Sequence, residues 1–172
     1  MGGARGEKMV RVLVCGERLR GDDAAAILAS KALPADALSL AQLVEAGQLS
    51  VEALLDIPEG VALIVADAAI GVAAGEVVTL PLAVVSAGTA TRRAAASPAP
   101  AAAPAPASSH SLPPDQVLAL AEELRGSPLR GSFVGMGGAQ FRVGEELSPA
   151  VAAALPAFVA ALADEIRRLA AE

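Results

Sequence analysis

The 172-residue chain contains no tryptophan, no tyrosine and only three phenylalanines. Its core must therefore be aliphatic, built from Leu, Val and Ile, and stacking on nucleic-acid bases is not expected. Excess positive charge is missing too: 13 Lys and Arg stand against 19 Asp and Glu, a net charge of -6. Nonspecific nucleic-acid binding needs clustered cations, so no nucleic-acid partner is expected. A single cysteine, Cys15, excludes an internal disulfide and a thiolate cage for zinc. A lone thiol suits a reducing compartment, and the expected location is the cytoplasm. No apolar run reaches the ~18 residues of a membrane span without breakers, so no membrane association is expected. The leading MGGARGEKM has no apolar segment of signal-peptide length behind it. HExxH, GxSxG, Walker A and GxGxxG are all absent.

What is present reads as alternating strands and helices. The stretch VRVLVCGERLRGDDAAA, Val10 to Ala26, is an apolar run ending in Gly16, a polar loop, paired acids and then a helix-forming run. Residues 1–8 read as a disordered lead and 9–172 as a single domain. Strand one is expected over Val10–Cys15. A helix follows from Asp22 or Asp23 to about Ala32, with Ile27 and Leu28 inward, and stops before Pro34. Residues 37–44 read as strand two and 45–48 as a turn. A short helix to Leu55 has Ser50 as its N-cap. VALIVA, residues 61–66, is apolar on both faces, as a central parallel strand should be, and ends at Asp67. Residues 76–82 alternate as an edge strand bearing Pro81.

Residues 94–107 are almost only Ala and Pro and read as an extended loop. A helix from Pro114 to about Arg125 carries the stripe Val117, Leu120 and Leu124. The last strand runs from near Leu129 to Met136. A final helix opens at Ser148-Pro149 and runs to about Ala170, with Val151, Leu155, Phe158, Leu162, Ile166 and Leu169 at helical spacing. The order β-α-β-α-β-β-α-β-α implies a three-layer α/β sandwich, mostly parallel, with an antiparallel strand around the fourth.

The chemistry concentrates in three residues. Asp23 follows strand one, Asp67 ends strand three, and His110, the only histidine, lies in the loop after strand four. Parallel strands would bring the two acids to one carboxyl edge, where open α/β folds place ligands. Singly each has a plain structural reading: Asp22 and Asp23 as helix caps, Asp67 as a turn residue, His110 as a surface residue. Together, two carboxylates and an imidazole supply a facial N,O donor set for a divalent transition metal. Cys15, inside strand one, reads as core rather than nucleophile.

Four segments resemble the hydrogenase maturation proteases. VLVCGERLRGDDAAA is similar to the family's GxGNxLxxDDGxG opening. LIVADAA resembles its third strand with a metal-binding Asp. SSHSLPPDQVLALAEEL resembles its histidine segment, and VGMGGAQFRVGEELSPAVAAALPAFVAAL its C-terminal stretch. The resemblance runs from about Met9 to Ile166. It implies a five-stranded twisted sheet between helices and a triad of Asp23, Asp67 and His110 as metal-recognising and catalytic residues. It also implies an endopeptidase that removes a C-terminal extension from the large-subunit precursor of a [NiFe]-hydrogenase. The nickel would be sensed in the substrate.

The surrounding turns depart from the pattern: Val14 replaces a glycine, Glu17 an asparagine, Ala24 and Ala26 two glycines, and Glu45-Ala46-Gly47-Gln48 stands where the family has DGGT. The alternative expectation is a non-proteolytic, metal-dependent binding protein for a metalloprotein precursor. A nucleotide- or phosphate-binding protein has only the Gly16 turn in its favour.

Overall fold

A computed structural model describes residues 9–69, 71–95 and 112–172 of the chain. The expected lead at 1–8, most of the Ala/Pro-rich loop at 94–107 and His110 lie outside the described residues.

Five strands form one sheet: β1 (Val10–Cys15), β2 (Ala41–Gly47), β3 (Leu63–Ala69), β4 (Val77–Pro81) and β5 (Gly131–Gly137). Their order is β2-β1-β3-β5-β4. The first three pairs are parallel, and only β4 runs antiparallel, at the edge beside β5. The expected fold class is found, with Pro81 on the edge strand, where a missing N–H is tolerated.

Among the described residues six α-helices cover the sheet: α1 (Ala25–Lys31), α2 (Ala35–Leu40), α3 (Val51–Leu55), α4 (Leu82–Ala95), α5 (Pro114–Arg125) and α6 (Pro149–Ala170). Alternation along the central strands divides the core in two. Val12, Val14, Ile64 and Ala66 face Ile27, Ala37, Phe158, Leu162 and Ile166 of α1, α2 and α6. Leu13, Cys15, Leu63 and Val65 face Leu54, Leu82, Val117 and Leu118 of α3, α4 and α5. With both faces covered, the central strands are apolar throughout. By length and composition α6 could cross a membrane. Its Val151, Phe158, Leu162, Ile166 and Leu169 are buried in the first of these cores instead.

Several local expectations are corrected. Residues 35–40 are helix α2, entered after Pro34 in extended conformation, so strand two begins only at Ala41. That strand continues through Glu45 to Gly47, where a turn was expected. Helix α4 was not foreseen: it is alanine-rich with no long apolar stripe, and of its side chains Leu82 is fully buried. It also takes in residues 94 and 95, assigned to the Ala/Pro-rich loop. Leu28 is exposed, unlike Ile27. On α5 the buried stripe is Val117, Leu118 and Ala121, while Leu120 and Leu124 face outward.

The path of the chain creates a crevice. From β1 it passes through α1 and α2, on one face, to β2; it then crosses by α3, on the other face, to β3. Strands β1 and β3 are neighbours whose following segments diverge, which makes their carboxyl ends a topological switch point.

Candidate functional site at the carboxyl edge

The turn after β1 begins at Gly16, whose φ of 113° favours glycine. A Cβ there would lie 1.9 Å from the carbonyl oxygen of Asp23, so the chain folds back directly on that acid. The Asp23 carboxylate accepts a hydrogen bond from the Glu17 backbone N–H at 2.9 Å. Residues 21–24 form one turn of 3-10 helix before α1.

Asp67 does not end β3, as expected, but lies within it, two residues before the end. It pairs in register with Gly135 of β5, where a Cβ would lie 2.5 Å from the Phe133 ring. By alternation with Val65 and Ala69 its side chain emerges on the face of Cys15. Among the described residues its one hydrogen-bond donor is the Ala68 N–H, at 2.7 Å.

The carboxyl edge thus brings the two acids together. Burial, opposed by the Ala68 hydrogen bond, and then the charge of Asp23 push the Asp67 carboxyl up to about 7. Asp23 is also pushed up by burial, against the Glu17 hydrogen bond and the charge of Arg20. Neither acid forms an ion pair among the described residues. Two half-buried carboxylates, the charge of Asp23 raising Asp67 and neither held in an ion pair among the described residues, form an arrangement that a divalent ion would relieve. Among the described residues no third His, Cys, Asp or Glu completes a metal cage with them. The third expected ligand, His110, lies outside those residues.

Cys15 is buried, as expected of a core thiol. Burial first, then the charges of Asp67 and Asp23, push its thiol far up, so it is no thiolate nucleophile. Glu17 is exposed, and its charge helps raise Asp23. At the rim, Arg18 donates to both carboxylate oxygens of Glu45, at 2.7 and 2.8 Å, tying the turn after β1 to the end of β2. A cavity of about 270 Å³, lined in part by Ile57, Arg125 and Arg130, lies at the amino ends of β3 and β5, away from the acids.

The residue that the sequence did not reveal is Asp22. It does not cap its own helix. Its buried carboxylate accepts from the N–H groups of Ala139 (2.6 Å), Gln140 (2.9 Å) and Ser148 (2.7 Å) and from the Ser148 hydroxyl (2.8 Å). Burial opposes its charge, but these four bonds prevail and hold the carboxyl below its ordinary value. Ser148, expected as the cap of α6, stands at that position but gives its hydroxyl to Asp22.

No family model and no curated protein matches the chain. Solved structures do. The hydrogenase maturating endopeptidase HybD from E. coli superposes with a TM-score of 0.66 at 21% identity, covering 93% of each chain. The [NiFe] hydrogenase maturation protease HycI from Thermococcus kodakarensis superposes at 0.57 with 18% identity over 95% of each. A second protein from that organism, the [NiFe] hydrogenase maturation protease HybD, gives 0.56 at 20% identity, over 89% of this chain and 95% of the other. The class is therefore set at the level of fold: an α/β sandwich of the kind these maturation proteases adopt, present here over nine-tenths of the chain.

Proposed function

We propose that this chain is an endopeptidase that removes the C-terminal extension of a nickel-loaded [NiFe]-hydrogenase large-subunit precursor, acting in the cytoplasm. The observation that carries the proposal is the pair Asp23 and Asp67, without an ion pair among the described residues, at the switch point of a fold shared with solved hydrogenase maturation proteases.

In this reading the nickel belongs to the substrate. Asp23 and Asp67 offer carboxylate oxygens to it and His110 an imidazole nitrogen, a donor set that suits a divalent transition metal. Capture places a dication where two like charges meet, and Asp67 gives up its proton as it binds. Such a site has little use for an empty precursor, because without nickel nothing offsets the repulsion of the acids. Binding also orients the extension against the sheet edge, so the peptide bond is presented at high effective concentration. Cys15 being unreactive, water is the nucleophile, and a carboxylate oxygen of the pair stands ready to accept its proton.

The test is the intact mass of a nickel-loaded precursor before and after incubation with this protein. Loss of a C-terminal peptide that depends on Asp23, Asp67 and His110 supports the reading. Capture of the precursor without a change of mass supports instead a non-proteolytic, metal-dependent binding protein, the reading favoured by the altered turns around the acids.

A further inference from the structure

We propose that Asp22 is the positioning residue of the acid pair: by pinning the Asp23-bearing turn to the segment 138–148, it fixes where Asp23 stands relative to Asp67. This rests on the reading of Asp23 and Asp67 as the nickel-capturing pair.

Asp23 holds itself weakly. Among the described residues its carboxylate has one hydrogen bond, from Glu17, and its backbone N–H one more, to Arg20 at 3.1 Å; both partners lie in its own turn. The ties from this turn to the C-terminal segment run through residues 19–22: the Gly144 N–H donates to the Leu19 carbonyl at 2.8 Å and Arg20 Nε to that of Phe141 at 3.3 Å. The Asp22 N–H donates to the Gln140 carbonyl at 2.7 Å, and the Gly21 N–H to that of Glu145 at 3.1 Å. The Asp22 carboxylate then gathers four donors from residues 139, 140 and 148, three on Oδ2 and one on Oδ1. Gly138 lies so close that a Cβ there would sit 2.9 Å from that of Asp22. Segment 138–148 joins β5, which pairs with β3 at Asp67 and Gly135, to α6. Asp22 therefore links the turn carrying one acid to the strand beside the other. A residue needed only for helix stability would bond within its own helix, whereas every partner of the Asp22 carboxylate lies across the site.

The experiment uses Asp22→Asn, which keeps the side chain's size but turns an acceptor into a donor facing other donors. Two readouts are taken on the full chain: Ni²⁺ titration by calorimetry, and kcat and KM for processing of the nickel-loaded precursor. Val151→Ala, which loosens the start of α6 without touching Asp22, is the control for plain destabilisation, with both variants checked as folded by circular dichroism. The expected result for Asp22→Asn is Ni²⁺ affinity weakened about 10-fold or more, as for other supporting partners of metal ligands. Because capture of the nickel is part of substrate binding, KM should rise about as far, and kcat/KM should fall at least as much. The control should change neither by more than about 2-fold. Ser148→Ala, which removes one donor of the four, should give a smaller loss of the same kind and serves if Asp22→Asn does not fold.

A wild type that processes the precursor while Asp22→Asn matches it in both readouts overturns the inference alone. Equal losses in Val151→Ala overturn it too, by reducing Asp22 to a structural role. A wild type that neither binds Ni²⁺ nor processes the precursor overturns the reading beneath it, and the inference with it.

Discussion

Replacing Asp67 by Asn should make the protein more stable near neutral pH while abolishing its activity. In the folded chain the Asp67 carboxyl is raised from 3.8 to about 7, by burial and by Asp23. Between these values the folded state holds a proton that the unfolded state has released. Stability therefore falls as pH rises through that window, and above about 7 the loss is complete. One pKa unit corresponds to about 1.4 kcal/mol, so the full displacement amounts to about 4 kcal/mol. The amide keeps the oxygen that accepts from Ala68 and carries no charge to bury.

Asp67→Asn should thus gain on the order of 2–4 kcal/mol at pH 8 and nothing at pH 4, flattening the slope between. For a chain of this size that is a rise of roughly 4–16 °C in Tm at pH 8. The assay is denaturation followed by circular dichroism, because no Trp or Tyr is available for fluorescence. A variant with the same pH slope as the wild type, or one less stable at pH 8, would refute the claim that burial, with Asp23 beside it, holds the Asp67 carboxyl raised at this edge. A gain in stability bought with function is the pattern expected where a site is strained for its task.

Three further outcomes follow from the geometry. Gly16→Ala forces a Cβ against the Asp23 carbonyl at a φ that side chains avoid, and should lower stability by about 2 kcal/mol or more and impair processing, as read by denaturation and by mass analysis. His110→Ala should abolish processing while moving Tm by less than about 2 °C, since its role in the proposal is to bind the substrate's nickel; normal cleavage by this variant would remove it from the site. Phe158→Ala, at a fully buried position of α6, should destabilise by about 3–5 kcal/mol, measured in urea, and leave the pH slope due to Asp67 in place.

The fold was legible wherever burial is two-sided or strongly periodic. VRVLVC and LIVA could only be central strands, and the final helix announced itself through Val151, Phe158, Leu162, Ile166 and Leu169. The errors arose where alanine removes the contrast between faces. Residues 37–44 straddle the end of α2 and the start of β2, and α4 carries too few large apolar residues to show a stripe. Leu120 and Leu124 keep the helical spacing of a core stripe but face outward, since Leu118 and Ala121 take the inner side of α5.

At the site, the meeting of Asp23 and Asp67 followed from parallel pairing of β1 and β3, which the apolar runs implied. A charge directly after VALIVA reads as the end of the strand; the strand instead continues through Asp67 to Ala69, paired in register with Gly135 to Gly137 of β5. The role of Asp22 was not legible. Its partners are 117 to 126 residues away, and an acid that caps its own helix looks the same in sequence as one that binds a distant loop.

The most direct test of the central claim is the intact mass of a nickel-loaded large-subunit precursor incubated with the wild-type chain and with Asp23→Ala. The account predicts a shortened precursor with the first and an unchanged mass with the second. A nickel-loaded precursor left intact by the wild type, or cut equally well by Asp23→Ala, would contradict it.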